Sequence, residues 1–427
     1  MKQHTSLVVV LATMMAGCLT QAQAAKDKQP ADKPPVAQAW IDVATFSGMG
    51  MPGMGGNMNP MAALGGMFGG GSGKNAFGNT ISGGAGSWLD VTLYTRNNPK
   101  LEEAIQNVPS GSKLAPELRL VSPLKQKTPP SDDEPIVKDD FEPPKGKIYL
   151  YWGCGDAIRS GQPKVLDMSR ASIEDYKKFF VSRRATQRGA HLELGRPVWP
   201  NDQDSRLVPA GASLVGEHAF KGQGVPASFK FTLPTLQDIM PAIELSQRND
   251  SGVYRLEWKS IPTARAYFLA AMGGRGNSDN EMVFWTSSDV PEIGTGLLDY
   301  QTNPAVDRWL KEKVLLPTDT RKCAVPKGIF AEGAMLRMIA YGSELNLAHP
   351  PRPSDPTATW EPEWAAKIRV KSVLNAMLGM EQAMGTAPGE RDNGSQPGRE
   401  NEDKSGSEGA PDGIDQGINK LKGIFGL

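Results

Sequence analysis

The sequence has little cysteine or histidine, no excess charge of either sign and no long apolar run. Three cysteines and four histidines stand among 427 residues. None is spaced as C-x-x-C or H-x-x-x-H, so the sequence offers no zinc site, which needs three or four convergent ligands. Basic and acidic residues are equal at 47 each, without a basic block or stripe. That balance argues against nucleic acid as a partner. No segment reaches the roughly 18 continuous apolar residues of a membrane-spanning helix. No triad or paired-carboxylate site can be assembled from residue order.

Several short motifs match catalytic patterns by letter only. Gly48-x-Gly50-x-x-Gly53 has the dinucleotide-binding spacing, but Pro52 and further glycines follow where a helix should begin. Ser110-Gly111-Ser112-Lys113 has the S-x-x-K spacing inside VPSGSKLAP, which reads as a loop. Gly211 to Gly216 misses the G-x-S-x-G elbow by one residue, and Asn201 to Ser205 reads as a turn lacking the glycine and distal glutamate of a calcium loop. His191, His218 and His349 lie in different segments and read as structural residues.

What is present begins with an export signal. Lys2 and His4 precede the apolar run Leu7 to Ala16, and an A-x-A site follows at Ala22 to Ala24. Met15-Ala16-Gly17-Cys18 also resembles the lipobox of bacterial lipoproteins, with Met15 where leucine is usual. Cleavage after Ala24 and lipidation of Cys18 are both open. Both place the mature chain in the periplasm or at the outer membrane.

Glycine (47) and proline (34) are abundant and concentrate at 26–88, 123–146 and 385–413. Those stretches read as linkers. The tract from Gly48 carries Met49, Met51, Met54, Met58 and Met61. Thioether sulfur suits Cu(I), so the five are a candidate soft-metal set. With no histidine or cysteine among them, a flexible tether with apolar stickers is the preferred reading. At the other end, a polar linker leads to Ile414, Ile418, Leu421 and Phe425, one face of a short amphipathic helix. Residues 414–427 are expected to dock on protein.

The middle of the chain reads as strands. Segments at 88–94, 147–152, 227–233, 254–258 and 282–285 are aromatic, β-branched or alternating. In Trp364 to Lys371 the alternation predicts that Ala366, Ile368 and Val370 face inward while Lys367, Arg369 and Lys371 face water. One helix is expected at 173–183 with Ser172 as its N-cap, and a second over 305–313.

Two resemblances follow from particular residues. YRLEWKSIPTARAYFLAAMG, Tyr254 to Gly273, resembles the B and C strands of fibronectin type III and immunoglobulin-like modules, through Trp258, Pro262 and Tyr267. This implies architecture rather than chemistry. AWIDVAT at 39–45 followed by the Gly/Met tract, YWGCG at 151–155, VWPND at 198–202, SLVGEHAF at 213–220 and AYGSELNLAHPPRP at 340–353 resemble a family of exported proteins of Gram-negative bacteria. That resemblance implies export and no active site.

The expected fold is mainly β, with two β-rich, sandwich-like domains between a disordered Gly/Met-rich N-terminal tail and a polar C-terminal tail. The expected ranges are a signal at 1–24, a disordered segment at 25–87, a β-rich domain with one helix at 88–205 and an immunoglobulin-like domain at 206–380. A linker at 381–411 and a helix at 412–427 follow. Outside the signal region only Cys154 and Cys323 remain. An even pair in an oxidising compartment favours a disulfide; two free buried thiols are the alternative. The expected role is envelope binding or scaffolding without catalysis or cofactor, on an envelope protein or glycan. The competing reading is a hydrolase or carbohydrate-active enzyme with Trp152, Trp199, Trp258 and Trp285 lining a cleft between domains.

Overall fold

The structure is a computed structural model and describes residues 32–48, 75–124, 146–276, 280–331, 333–355 and 357–379. The five tract methionines, Cys18, the signal, the 381–411 linker and the 412–427 helix lie outside the described residues.

The chain is mainly β. In chain order the strands are β1 (Ala37–Gly48), β2 (Gly86–Thr95), β3 (Glu103–Asn107), β4 (Glu117–Val121), β5 (Lys147–Trp152) and β6 (Lys164–Asp167). Then come β7 (Val198–Trp199), β8 (Gly216–Gly222), β9 (Lys230–Leu233), β10 (Leu245–Asp250), β11 (Val253–Trp258) and β12 (Ala266–Gly274). The last are β13 (Glu281–Thr286), β14 (Lys322–Val325), β15 (Ala334–Tyr341), β16 (Leu345–His349) and β17 (Trp364–Leu378). Three short helices accompany them among the described residues: α1 (Asn79–Ser82), α2 (Ile173–Phe179) and α3 (Asn303–Lys311). Helix α2 starts where expected, at a capping box between Ser172 and Asp175, and ends four residues early.

One large sheet runs in the order β6-β5-β13-β12-β15-β17-β1-β2-β7-β4-β3-β8-β9, with β16 paired to β17 as its fourteenth strand. A three-stranded sheet, β10-β11-β14, lies apart. Only β1 with β17 and β5 with β13 pair in parallel. The β8–β9 end curls back, so that Phe229 stacks on Trp364 of β17 with centroids 4.9 Å apart. The small sheet adds Leu256, Cys323 and Val325 to the same core as Trp285 and Leu336.

Two expectations are corrected here. Residues 37–48 do not belong to a disordered segment; they form β1, in the middle of the sheet. Ala37, Ala39, Ile41 and Val43 bury one face of it, and Ala44 and Phe46 the other. Its parallel partner is β17, more than 300 residues away, in register from Ala37 with Trp364 to Gly48 with Asn375. A division at 205/206 also fails, because hydrogen-bonded strands cross it. β5 and β6 join β13, and β8 and β9 join β3. The chain weaves two regions together rather than folding them one after the other.

The alternation of β17 is as expected, but its second face is not wet. Trp364, Ala366, Ile368, Val370 and Leu374 pack in the main core. Val373 packs in a second core with Phe268, Ile339 and Tyr341, under Leu297, Val306, Trp309 and Leu315. That covering layer comes from residues 295–316 and α3. Arg369 and Lys371 therefore lie beneath it, only 8% and 1% exposed. The expectation that they face water is corrected.

Candidate functional site

The covered face collects ionisable side chains from four adjacent strands. Strand register sets Asp42 of β1 opposite Asp90 of β2 on one side and Arg369 of β17 on the other. It sets Lys371 opposite Tyr341, and Arg337 of β15 opposite Asn375. All are at least nine-tenths buried. Burying an unpaired charge costs several kcal/mol, so each needs partners.

Arg369 and Asp42 form a two-pronged pair, Nε to Oδ1 at 2.7 Å and Nη2 to Oδ2 at 2.5 Å. The remaining Nη1 donates to Thr186 Oγ1 at 3.1 Å and to the Gln187 carbonyl at 2.9 Å. The Ala190 N–H adds a bond to Asp42 Oδ2 at 3.0 Å. Burial works against the charged guanidinium, but Asp42 outweighs it and raises the Arg369 pKa. Gly189 permits this packing: any Cβ there would strike the Arg369 guanidinium and the Asp42 carboxylate.

Lys371 Nζ donates to Asp299 Oδ1 at 2.7 Å. Burial pushes the Asp299 carboxyl up, yet Lys371 more than offsets this and holds it below its ordinary value. Tyr300 lies over both cations, its ring centre 4.3 Å from Arg369 Cζ and 4.1 Å from Lys371 Nζ. Its hydroxyl donates to the Val43 carbonyl at 2.9 Å. The covering segment is thus tied to the sheet by the Lys371–Asp299 ion pair and a tyrosine, while the Asp42–Arg369 pair joins two strands of the sheet itself.

Asp90 has donors but no cation. Its carboxylate accepts from the Gly78 N–H at 3.1 Å and from the Thr80 hydroxyl at 2.5 Å. Burial nevertheless dominates and lifts its pKa to about 7, with Asp42 adding to the rise.

Arg337 is the exception among these cations. It is 7% exposed. Its Nε is buried without a hydrogen-bond partner, and so is Oδ1 of Asn375 opposite. The structure gives it a cation–π approach to Phe46, 5.9 Å from the ring centre. Burial pushes its pKa down, opposed by the more distant charges of Asp299 and Tyr341. It lines a cavity of about 30 Å³ whose other walls include Met272, Phe284, Ile293, Leu298 and Met335.

Residues singled out in the sequence fall elsewhere. Cys154, just past β5, is bonded to Cys323 of β14, with Cα atoms 5.1 Å apart. The bridge joins the large sheet to the small one. His218 is buried between Gln106 and the Leu214 carbonyl, and burial lowers its pKa. His191 meets Trp40 edge-on and His349 stacks on Trp364, so the three histidines do not share a site. Among the described residues no group of three or more His, Cys, Asp or Glu is placed to hold a metal. Ser213 donates to Asp238, and Lys113 to the Ala210 carbonyl. Trp199, Trp258 and Trp285 are at most 5% exposed and belong to the core. They do not line a cleft. Two open depressions of about 620 and 440 Å³ flank β4. Their arginines are already paired, Arg119 with Glu103 and Arg206 with Asp204.

The sequence reading missed Asp42, Asp90, Asp299 and Arg337, because each is an ordinary polar residue until distant strands meet. The one available signal was Arg337, a lone cation in the apolar run AMLRMIAY.

The class the fold defines is a mainly β chain with a disulfide between its two sheets. No family model matches it, and no curated protein or solved structure is significantly similar.

Proposed function

We propose that the chain is an exported protein of the bacterial cell envelope that binds or scaffolds and does not catalyse. The observation that carries this reading is the Cys154–Cys323 bridge between the sheets, because such bonds persist in oxidising compartments such as the periplasm. The N-terminal signal pattern supports the same placement, with membrane attachment through Cys18 as one form of it. The β11–β12 corner supports an immunoglobulin-like module: Trp258 meets Tyr267 edge-on at 5.7 Å, and the two strands belong to different sheets. Such modules serve mostly as binding and spacer units.

The internal pairing of Arg369 and Lys371 also favours a structural belt over a reaction centre. The burial of three of the four tryptophans removes the support for a sugar cleft. The partner is an envelope protein or a glycan, with residues 414–427 docking on protein. Crosslinking the tagged protein in intact cells, followed by purification from the envelope fraction, tests this. A discrete envelope protein or peptidoglycan fragment as adduct is the expected result. Recovery in the cytoplasm, or turnover of an ester or glycoside panel by the purified protein, would overturn it.

A further inference from the structure

Helix α2 has an apolar side that the fold does not bury. Ile173, Tyr176, Lys177 and Phe180 stand at helical spacing and share one side. A surface helix normally turns such a stripe to the core, yet α2 buries no side chain. Ile173 is 55% exposed, and Val181, just past the helix, is 68% exposed. Phe180 stacks on Tyr176 at 6.5 Å and meets Phe179 edge-on at 5.3 Å, and all three rings are half-buried. The segment is anchored on both sides of this patch. The Tyr176 hydroxyl donates to the Met168 carbonyl at 3.2 Å, next to β6, the terminal strand of the large sheet. Arg183 pairs with Glu292 and Glu312, each at 3.1 Å.

The zero net charge of the chain conceals a local excess here. Between Lys164 and Arg188 stand seven cations and three carboxylates. Two of those carboxylates are engaged locally, Asp167 by Ser169 and Asp175 by the Ser172 cap. Lys177, Lys178 and Arg184 are exposed, and among the described residues no carboxylate pairs with them. Exposed aliphatic and aromatic groups flanked by unpaired cations match the boundary of an anionic bilayer, where rings and branched chains sit among the headgroups and cations meet phosphate. A soluble acidic partner would answer the cations but not Ile173 and Val181.

We propose that residues 173–184 form a docking surface for an anionic phospholipid bilayer. Ile173, Val181 and the aromatic cluster enter the headgroup layer, and Lys177, Lys178 and Arg184 contact lipid phosphate. This partner is additional to the protein or glycan, and it rests on the envelope reading only for its supply of anionic lipid.

Cosedimentation with vesicles tests it, using the chain from Ala25 onward, which carries every described residue. Binding to phosphatidylcholine vesicles containing phosphatidylglycerol, falling as salt rises, and none to phosphatidylcholine alone, is expected. The triple variant Lys177→Glu, Lys178→Glu, Arg184→Glu changes exposed side chains only, so its urea midpoint should stay near that of the wild type. Its binding should weaken at least about tenfold. Reversing the exposed Lys221, Lys230 and Lys327 instead alters net charge equally and should leave binding unchanged. Ile173→Ser with Val181→Ser should weaken binding while keeping its salt dependence. Absence of binding by the wild type, equal binding by the folded Lys177/Lys178/Arg184 variant, or equal displacement by polyglutamate overturns the proposal. Vesicle binding by a protein that cells retain in the cytoplasm would uphold this surface and remove the envelope reading alone.

Discussion

Asp90 gives the residue scale its clearest consequence. Its ordinary pKa of 3.8 rises to about 7 in the fold because burial disfavours the charged form. The folded state then holds a proton that the unfolded state releases. The contribution is favourable relative to high pH and is lost as pH rises from about 4 through about 7. Three pKa units correspond to at most about 4 kcal/mol. Unfolding by urea at pH 5, 6.5 and 8 should show this component of stability falling. Asp90→Asn should be more stable than the wild type at pH 8, with the gap closing toward pH 5; a gap independent of pH would contradict the assignment. The Asp42–Arg369 pair makes a different prediction. Removing one partner leaves the other charged and buried, so Arg369→Met should cost about 3–5 kcal/mol. The double change Asp42→Val with Arg369→Met should cost less than that single one, read from a urea double-mutant cycle.

Single elements were legible where their signal is local. Helix α2 was readable because a serine followed three residues later by aspartate caps a helix regardless of what surrounds it. Ser172→Ala should cost about 1 kcal/mol of local stability. Because α2 buries no side chain, hydrogen exchange at 173–179 should accelerate while the global unfolding midpoint hardly moves. Strand β5 was found at its observed ends, since aromatic alternation follows a proline-rich loop. Strand β17 was half legible: period-2 alternation tells which residues share a face, but not whether the other face is covered. The covering residues 295–316 carry no mark of where they pack, so Arg369 and Lys371 looked like surface residues. Strand β1 was hidden by its neighbours in sequence. Its alanines and the glycine tract after it resemble a linker, and its partner in register begins at Trp364.

At the scale of the molecule, mainly β character could be read from composition and pattern, but the weave could not. Domain boundaries are inferred from linkers, and the linker-like stretch at 123–146 interrupts the chain without dividing the fold: β4 precedes it and β5 follows it in the same sheet. The cavity beside Arg337 shared that fate, because Arg337, Ile293 and Met272 meet only through tertiary pairing. The disulfide closes a separation of 169 residues. Chain-entropy reasoning assigns a loop of that size on the order of 4–5 kcal/mol. Reduction should therefore lower the urea midpoint without changing the native spectrum.

The most direct test of an exported, disulfide-stapled binding protein is a thiol count on unreduced, unfolded protein recovered from the envelope fraction, with peptide mapping of the bridge. The account predicts a Cys154–Cys323 linked peptide and no thiol at either residue. Two reactive thiols at those positions, or protein found only in the cytoplasm, would contradict it.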